Sequence, residues 1–328
     1  MKTQGLRRQL VIGGGFLLSA VFLFLALRKV DWQALATAFA SIRYLPVLGC
    51  TAALLLSITL RAVRWRVIAQ SPGSAYNHFL RAANLGLLTN LLLPARAGEI
   101  IRVVTLSRLS HVPFSRPLAS ALIDRLMDVF VLIASAGFLF WLLPIGELIK
   151  KWFIVLVFLA IITTALVFLF ARGTGWGGTL GARLLKRWLK RWGLQPEVFL
   201  AELRLEFRRV LGGWLSMELL LAMALVLCAD YCAILTLLLA FGLSLPFKAP
   251  LLLWVFLSAG SALPSAPGYT GIYQLATIWA LSFFSVSASL SVAIATVLQI
   301  ATLAVALAVA GPDTLMIFRR MLFVKNSA

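Results

Sequence analysis

Residues 82–106 read AANLGLLTNLLLPARAGEIIRVVTL. An apolar run ends at Leu93, a segment containing Pro94 and Gly98 follows, and the chain turns apolar again at Ile100. An apolar run of about a dozen residues is too short to cross a bilayer, which takes roughly 20 residues as a helix. We therefore predict two half-length helices around a break, the pattern of a re-entrant membrane hairpin.

A second break of the same kind follows further along the chain. The apolar runs 250–263 and 272–284 flank it, and the motif LPxxxG at residues 93–98 returns at 263–268. Interrupted apolar segments in corresponding halves indicate an inverted repeat and a transporter's binding site. Chance remains the alternative, because the motif is short and the chain is rich in leucine. The residues that we expect to shape the breaks are Pro94, Gly98, Pro264, Pro267, Gly268 and Gly271.

The composition defines the class of protein. The 328 residues are 62% hydrophobic and only 12% charged, whereas a soluble domain is roughly a quarter charged. This excludes an ordinary soluble enzyme and a disordered chain. We predict an all-α polytopic membrane protein with about six full crossings and two broken-helix hairpins. The predicted crossings are residues 10–27, 45–60, 118–143, 152–170, 214–241 and 286–310.

The charges predict the orientation in the membrane. The formal net charge is +19, and the cations gather in loops 61–81 and 171–213 and in the C-terminal tail. We attribute them to the positive-inside rule and to anionic lipid rather than to nucleic acid. Both termini are then cytoplasmic. The loop 28–44, with a small net positive charge, opposes this arrangement. Because the first run lacks a small-residue cleavage site, we expect a retained helix rather than a signal peptide.

The domain organisation follows from the same pattern. We expect one transmembrane domain over residues 1–313, with a cytoplasmic amphipathic loop at 171–213, and a basic tail at 314–328. Within the loop, residues 183–192 alternate basic and apolar residues at helical spacing, and we predict a second amphipathic helix from about Pro196 to Val210. This favours a helix pair on the lipid surface, with a solvated linker as the alternative.

Charged residues inside apolar runs need an explanation because they are costly in a membrane. Glu99 stands three residues from both Arg96 and Arg102, so one helical turn can hold the three together. Asp124 and Asp128 share a helix face, with Arg125 beside them. Guanidinium groups suit phosphate, and helix N-termini beyond Gly98 and Gly268 would add N–H donors. We predict a polar site for an anionic headgroup; the alternative is an ion-pair network that only joins helices.

Signatures of catalysis are absent from the sequence. It has no HExxH, GxSxG or P-loop motif, and its two histidines are not near an acid in sequence. Arg125, between Asp124 and Asp128, argues against a divalent metal site there. We therefore expect a protein that is not an enzyme, with no metal and no cofactor.

Four motifs carry a family resemblance. They are RxxRW at residues 61–65, NxxxPxRxGExxR at 90–102, DRxxD at 124–128 and PxxPGYxG at 264–271. Together they resemble the lysylphosphatidylglycerol synthase transmembrane region, also called the flippase-like domain family, over roughly residues 10–310.

The resemblance adds residues to the candidate site. It implies that Arg61, Arg64 and Asn90 belong to the substrate-binding set with Arg96, Glu99, Arg102, Asp124, Arg125 and Asp128. Family members usually have glutamate at the position of Asp124, and an acid is common at the position of Gln274. A proton role at Gln274 is therefore not carried over.

The resemblance also implies a function. In two-domain relatives a cytoplasmic domain transfers lysine from tRNA to phosphatidylglycerol, and the membrane domain moves the product across the bilayer. This chain ends soon after its last apolar run, so we expect that the transferase domain is absent and that lysyl transfer does not apply.

We expect a lipid flippase or scramblase of a bacterial inner membrane, which moves an anionic phospholipid or a lipid-linked intermediate. One alternative is a non-catalytic membrane partner of a separately encoded lipid- or glycan-modifying transferase. The other is a membrane enzyme acting on a lipid phosphate, with Glu99 or Asp124 as its base. The expected partners are membrane phospholipid and an envelope or lipid-modifying enzyme. The sequence leaves open the lipid, the direction of movement, the energy source and the oligomeric state.

Overall fold

The computed structural model describes residues 19–28, 30–69, 75–93, 97–142, 195–210, 214–263 and 266–324, and the single positions 13, 17, 158 and 162. Every regular element among these residues is helical, as the composition predicts. Residues 19–27 are helical. The further helices are α1 (Trp32–Ala40), α2 (Tyr44–Ala69), α3 (Tyr76–Leu92), α4 (Gly98–Leu109), α5 (Ser115–Leu142), α6 (Pro196–Val210), α7 (Trp214–Ala240), α8 (Lys248–Ser261), α9 (Ile272–Ser282) and α10 (Ala288–Val324).

Four of the described helices are long and apolar enough to cross a membrane. They are Tyr44–Ala69, Ser115–Leu142, Met217–Ala240 and Ala288–Ala310, and each coincides with a predicted crossing. The predicted crossing at 152–170 lies outside the described residues apart from two single positions, and most of the first half of the run at 10–27 does as well. The protein is therefore a membrane protein with several apolar helices.

Both predicted breaks lie between helices. The first separates α3 from α4, with lengths of 17 and 12 residues. The second separates α8 from α9, with lengths of 14 and 11 residues. At 1.5 Å per residue these helices are about 17 to 26 Å long, shorter than the roughly 30 Å hydrocarbon core. α3 extends further toward the N-terminus than its apolar run, because the polar residues from Tyr76 onward continue the helix.

Two glycines let α3 and α4 approach closely. A Cβ atom on Gly98 would collide with the carbonyl oxygen of Gly86 and lie 2.6 Å from Oδ1 of Asn90. A Cβ atom on Gly86 would lie 2.8 Å from Cβ of Arg102 and 2.9 Å from the carbonyl oxygen of Gly98. Small residues permit such backbone contact between membrane helices, so the tight hairpin depends on glycine at both positions.

The chain divides into two compact units, each discontinuous in sequence. The first unit takes its residues from Met1–Thr59, Leu80–Arg102 and Val226–Ala328, and the second from Leu60–Phe79 and Val103–Leu225. Both breaks belong to the first unit.

The core of the second unit contains the amphipathic helix α6, whose bounds are those predicted from the sequence. Its buried apolar side chains pack in one cluster with Ile68 of α2 and with Ala119 and Ile123 of α5. The apolar face of α6 therefore packs against protein, whereas its pattern favoured a lipid surface. The predicted basic helix at 183–192 lies outside the described residues.

Candidate functional site

The two breaks meet inside the first unit. A Cβ atom built on Gly268 would lie 3.7 Å from the carbonyl oxygen of Leu91, in the last turn of α3. Tyr269 packs against the cluster that joins Leu91 to Ala306 and Ala310 of α10. The second break therefore lies beside the end of α3, which is the helix that precedes the first break.

The backbone of the second break adopts left-handed conformations. Gly268 and Gly271 have φ values of 67° and 86°, and Tyr269 has 57°. Left-handed φ is costly for a bulky residue. At Gly271 a Cβ atom would also collide with the carbonyl oxygen of Ser19 and lie 2.9 Å from the amide nitrogen of Leu23, so the helix at 19–27 packs directly on this break.

A bridge of two glutamines holds the second break in place. The amide N–H of Gly271 donates to Oε1 of Gln274 at 2.8 Å. Nε2 of Gln274 donates to Oε1 of Gln299 at 2.7 Å, and Nε2 of Gln299 donates to the carbonyl oxygen of Gly268 at 2.7 Å. This chain of hydrogen bonds satisfies backbone groups that the broken helix leaves without helical partners. It consists only of neutral groups.

The first break is held by side chains of its own helices. The amide N–H of Gly98 donates to Oδ1 of Asn90 at 2.8 Å, which links the end of α3 to the start of α4. Glu99 pairs with Nε of Arg102 at 3.0 Å. The predicted site residues Pro94, Arg96 and Pro264 lie outside the described residues.

The two breaks differ in detail despite their shared motif. Gly98 is the first residue of α4, whereas Gly268 lies in the 3₁₀ turn Pro267–Tyr269, and α9 begins only at Ile272. The residue that precedes the second helix is Gly271, not Gly268. The LPxxxG motif therefore places both breaks, but it does not align them residue by residue.

The second unit contains the other predicted cluster. Nε of Arg64 donates to Oδ1 of Asp124 at 2.9 Å, and its Nη2 lies 2.6 Å from Oδ1 of Asp128. Arg61 and Arg125 also pair with Asp128, at 3.4 and 2.8 Å. All five predicted residues of this cluster are thus brought together, from α2 and α5.

Burial separates the arginines of this cluster into two kinds. The side chain of Arg64 is 1% exposed, and both aspartates hold it. The side chains of Arg61 and Arg125 are 34% and 43% exposed. Three arginines therefore surround two aspartates in this cluster. Arg61 and Arg125 can meet an anion, whereas Arg64 joins the two helices.

A hydrogen bond next to the cluster strengthens the same helix contact. Nε1 of Trp65 donates to the hydroxyl of Ser120 at 3.0 Å, and the Trp65 ring packs edge-on against Phe79 at 5.5 Å. Ser120 lies one helical turn before Asp124, so consecutive turns of α5 bind consecutive residues of α2.

A carboxylate of the first unit lies in the middle of an apolar helix. Asp230 of α7 accepts hydrogen bonds from the hydroxyl of Ser57 and from Nε1 of Trp254, the latter at 2.9 Å. These contacts connect α2, α7 and α8. Hydrogen bonds of this kind lower the cost of a buried carboxylate.

Another buried carboxylate belongs to α6 itself. The side chain of Glu206 is fully buried, and Arg209 lies 3.6 Å away. Burial raises the pKa of Glu206 to about 7; the charges of Arg209 and Arg116 lower it, and Glu202 raises it further. This pairing was not foreseen, because the alternation of α6 shows which face is apolar but not which charged residue is enclosed.

Sequence reasoning also missed the role of Gln299, since a single amide in an apolar helix carries no motif. The position of Gln274 was noted only as the place of an acid in relatives. Among the described residues no group of three or more His, Cys, Asp or Glu side chains is arranged to hold a metal ion.

These features define a polytopic membrane protein whose interrupted helices meet and whose helices enclose charged clusters. A family model described as lysylphosphatidylglycerol synthase TM region matches residues 12–310. The chain belongs to this family, which is related to lipid handling. No curated protein matches the chain.

Proposed function

We propose that this protein moves an anionic phospholipid, or a lipid-linked intermediate with an anionic headgroup, across the bacterial inner membrane. The observation that carries the proposal is the meeting of the two breaks at Leu91 and Gly268. Discontinuous helices that meet within the membrane form the substrate sites of transporters. In this proposal the two hairpins are re-entrant and both termini are cytoplasmic.

The charges favour an anionic headgroup. Arg61 and Arg125 are partly exposed beside Asp128, and the cluster contains more guanidinium groups than aspartates. Arginine presents a planar fork of donors that matches phosphate. Arg102, paired with Glu99 at the first break, and its sequence neighbour Arg96 would offer further guanidinium groups to a headgroup in the first unit.

The position of the charged cluster along its helix supports contact with headgroups. Asp124 is nine residues after Ser115, the first residue of α5, so it lies about 14 Å along that helix. The helix is 28 residues long, about 42 Å, and exceeds the roughly 30 Å hydrocarbon core. If the polar start of α5 extends beyond the core, the cluster lies near the boundary between headgroups and hydrocarbon.

One observation favours the alternative that the protein is a non-catalytic membrane partner of a separately encoded transferase. Arg64 is enclosed by two aspartates, as expected of a contact that only joins helices. The proposal therefore assigns headgroup binding to Arg61 and Arg125 and structure to Arg64. It involves no catalysis and no cofactor.

The test uses purified protein in phosphatidylcholine vesicles that contain fluorescent phosphatidylglycerol in both leaflets. A membrane-impermeant reductant bleaches only the outer leaflet, unless protein brings inner lipid outward. We expect nearly complete bleaching with the wild type. A hydrogen bond to a charged group contributes about 1.5–3 kcal/mol. The double variant Arg61→Ala/Arg125→Ala should therefore slow transport about tenfold or more.

Arg66→Ala is the matched control. Arg66 is exposed on α2, and its removal subtracts the same charge from the same helix outside the cluster. Wild-type vesicles that bleach like protein-free vesicles would reject lipid transport. A stoichiometric transferase that co-purifies with such an inactive protein would support the partner alternative.

A further inference from the structure

Two neutral side chains of the first unit are buried without hydrogen bonds. Asn84 of α3 and Thr277 of α9 are both 0% exposed, and neither the amide atoms of Asn84 nor the hydroxyl of Thr277 has a partner. No described residue forms a hydrogen bond with these three atoms. A buried polar group without a partner is destabilising, so each of these two groups calls for an explanation.

Asn84 lies on the face of α3 that packs against α10. Asn84, Leu88 and Leu91 are spaced at i, i+4 and i+7 and share one helix face. Leu88 and Leu91 belong to the same buried cluster as Ala306 and Ala310 of α10. The side chain of Asn84 therefore belongs to the seam between these two helices.

Thr277 lies on the face of α9 that packs against α10. It follows Gln274 by three residues and shares its face, and Gln274 binds Gln299 of α10 at 2.7 Å. A short connection joins α9 to α10, which makes the pair antiparallel. Thr277 therefore lies near residues of α10 that precede Gln299 in sequence. Asn84 lies near residues of α10 that follow Gln299.

One face of α10 connects these groups. Gln299, Leu303, Ala306 and Ala310 are spaced at i, i+4, i+7 and i+11, and from Gln299 to Ala310 the helix rises about 16 Å. Alanine leaves little bulk in the seam. Along α10, Thr277 therefore lies on one side of the glutamine bridge and Asn84 on the other.

We propose that the seam between α10 and the interrupted helices α3 and α9 is the path of the lipid phosphate, with Asn84 and Thr277 as headgroup contacts on either side of the bridge. The inference rests on the proposed function. Nδ2 of Asn84 and the hydroxyl of Thr277 donate to phosphate oxygens. Neutral donors bind more weakly than arginine, and a path needs several sites that a passing group can leave.

The variants Asn84→Leu and Thr277→Val test this path in the vesicle assay with labelled phosphatidylglycerol. Each removes an unpartnered polar group, so the melting temperature should stay level or rise, while transport should slow about tenfold, as for a lost hydrogen bond to a charged group. The matched controls are Asn77→Leu, at an exposed position of α3, and Thr302→Val, whose hydroxyl donates to the carbonyl of Leu298. They should transport as the wild type does. Wild-type rates in both seam variants would overturn the path and leave lipid transport standing.

A second measurement decides the path even if the wild type moves no lipid. Asn84→Cys is introduced into a chain whose native Cys50, Cys228 and Cys232 are replaced by alanine, and a charged, water-soluble thiol reagent is added. We expect labelling of position 84, slowed by short-chain phosphatidylglycerol. Absence of labelling in folded protein, or labelling that the lipid leaves unchanged, would overturn the seam as a headgroup path.

Discussion

Gly268 lies against the carbonyl oxygen of Leu91, so the two interrupted helices of this protein touch at their breaks. Each helix end leaves backbone groups without helical partners. At the second break the glutamine bridge satisfies two such backbone groups, the N–H of Gly271 and the carbonyl of Gly268, and at the first break Asn90 satisfies the amide of Gly98. Neutral amide side chains thus hold both breaks, and the charged pair Glu99–Arg102 lies at the start of α4 beside the first break.

The first prediction concerns the glycine contact in the α3–α4 hairpin. Gly98→Ala should lower the free energy of unfolding by about 1–3 kcal/mol, the usual cost of overpacking, because the new methyl group collides with the carbonyl of Gly86. Thermal unfolding in detergent measures the effect. Gly49→Ala is the control, since its Cβ would lie 3.4 Å from Cγ2 of Thr236, and it should be neutral or stabilising. Equal stability of the two variants would contradict the close contact.

The second prediction concerns Arg64. Arg64→Ala leaves Asp124 and Asp128 without their buried cation, which should destabilise the protein by about 3–5 kcal/mol. Arg64→Lys should restore only part of this, because one ammonium cannot replace the separate contacts of Nε and Nη2. Chemical or thermal unfolding measures the losses, and the exposed Arg66→Ala should change little. A stable Arg64→Ala variant would show that the cluster does not join the helices.

The third prediction concerns the pH dependence of stability. Burial raises the pKa of Glu206 from its ordinary value of 4.5 to about 7, so between these pH values the folded protein binds a proton that the unfolded chain has already released. This contribution to stability is fully present below about pH 4.5 and is lost as the pH rises through about 7. Glu206→Gln should therefore flatten the decline and be more stable than the wild type at pH 8.

The control for this pH series is Glu197→Gln, at an exposed position of the same helix. Its unfolding temperature should follow that of the wild type at every pH. A Glu206→Gln variant that loses stability with rising pH as steeply as the wild type would exclude Glu206 as the source.

The fourth prediction concerns the glutamine bridge. Gln274→Leu and Gln299→Leu should each destabilise the protein, because each leaves the other amide and a backbone group of the break without a partner. In a double-mutant cycle the two changes should be non-additive by about 0.5–3 kcal/mol. Additive losses would mean that the two side chains act independently.

Local patterns made part of this structure predictable. The amphipathic pattern predicted a helix from about Pro196 to Val210, in agreement with α6. Pro and Gly marked both breaks, because these residues limit helix propagation directly. The partner of Asp124 was not predictable, since a helix pattern places Asp124 and Asp128 on one face but does not say which of Arg61 and Arg64 reaches them across 60 residues. Asn84, Thr277 and Gln299 gave no signal, because single neutral side chains hardly change an apolar pattern.

The most direct test of the account joins the two breaks covalently and measures transport. Leu91→Cys with Tyr269→Cys is made in a chain without native cysteines, and a short bifunctional thiol reagent with a reducible linker is added in vesicles containing labelled phosphatidylglycerol. We predict efficient cross-linking, loss of lipid transport, recovery on reduction, and no effect on either single variant. Failure of the pair to cross-link, or transport that continues after cross-linking, would contradict the claim that lipid passes where the two breaks meet.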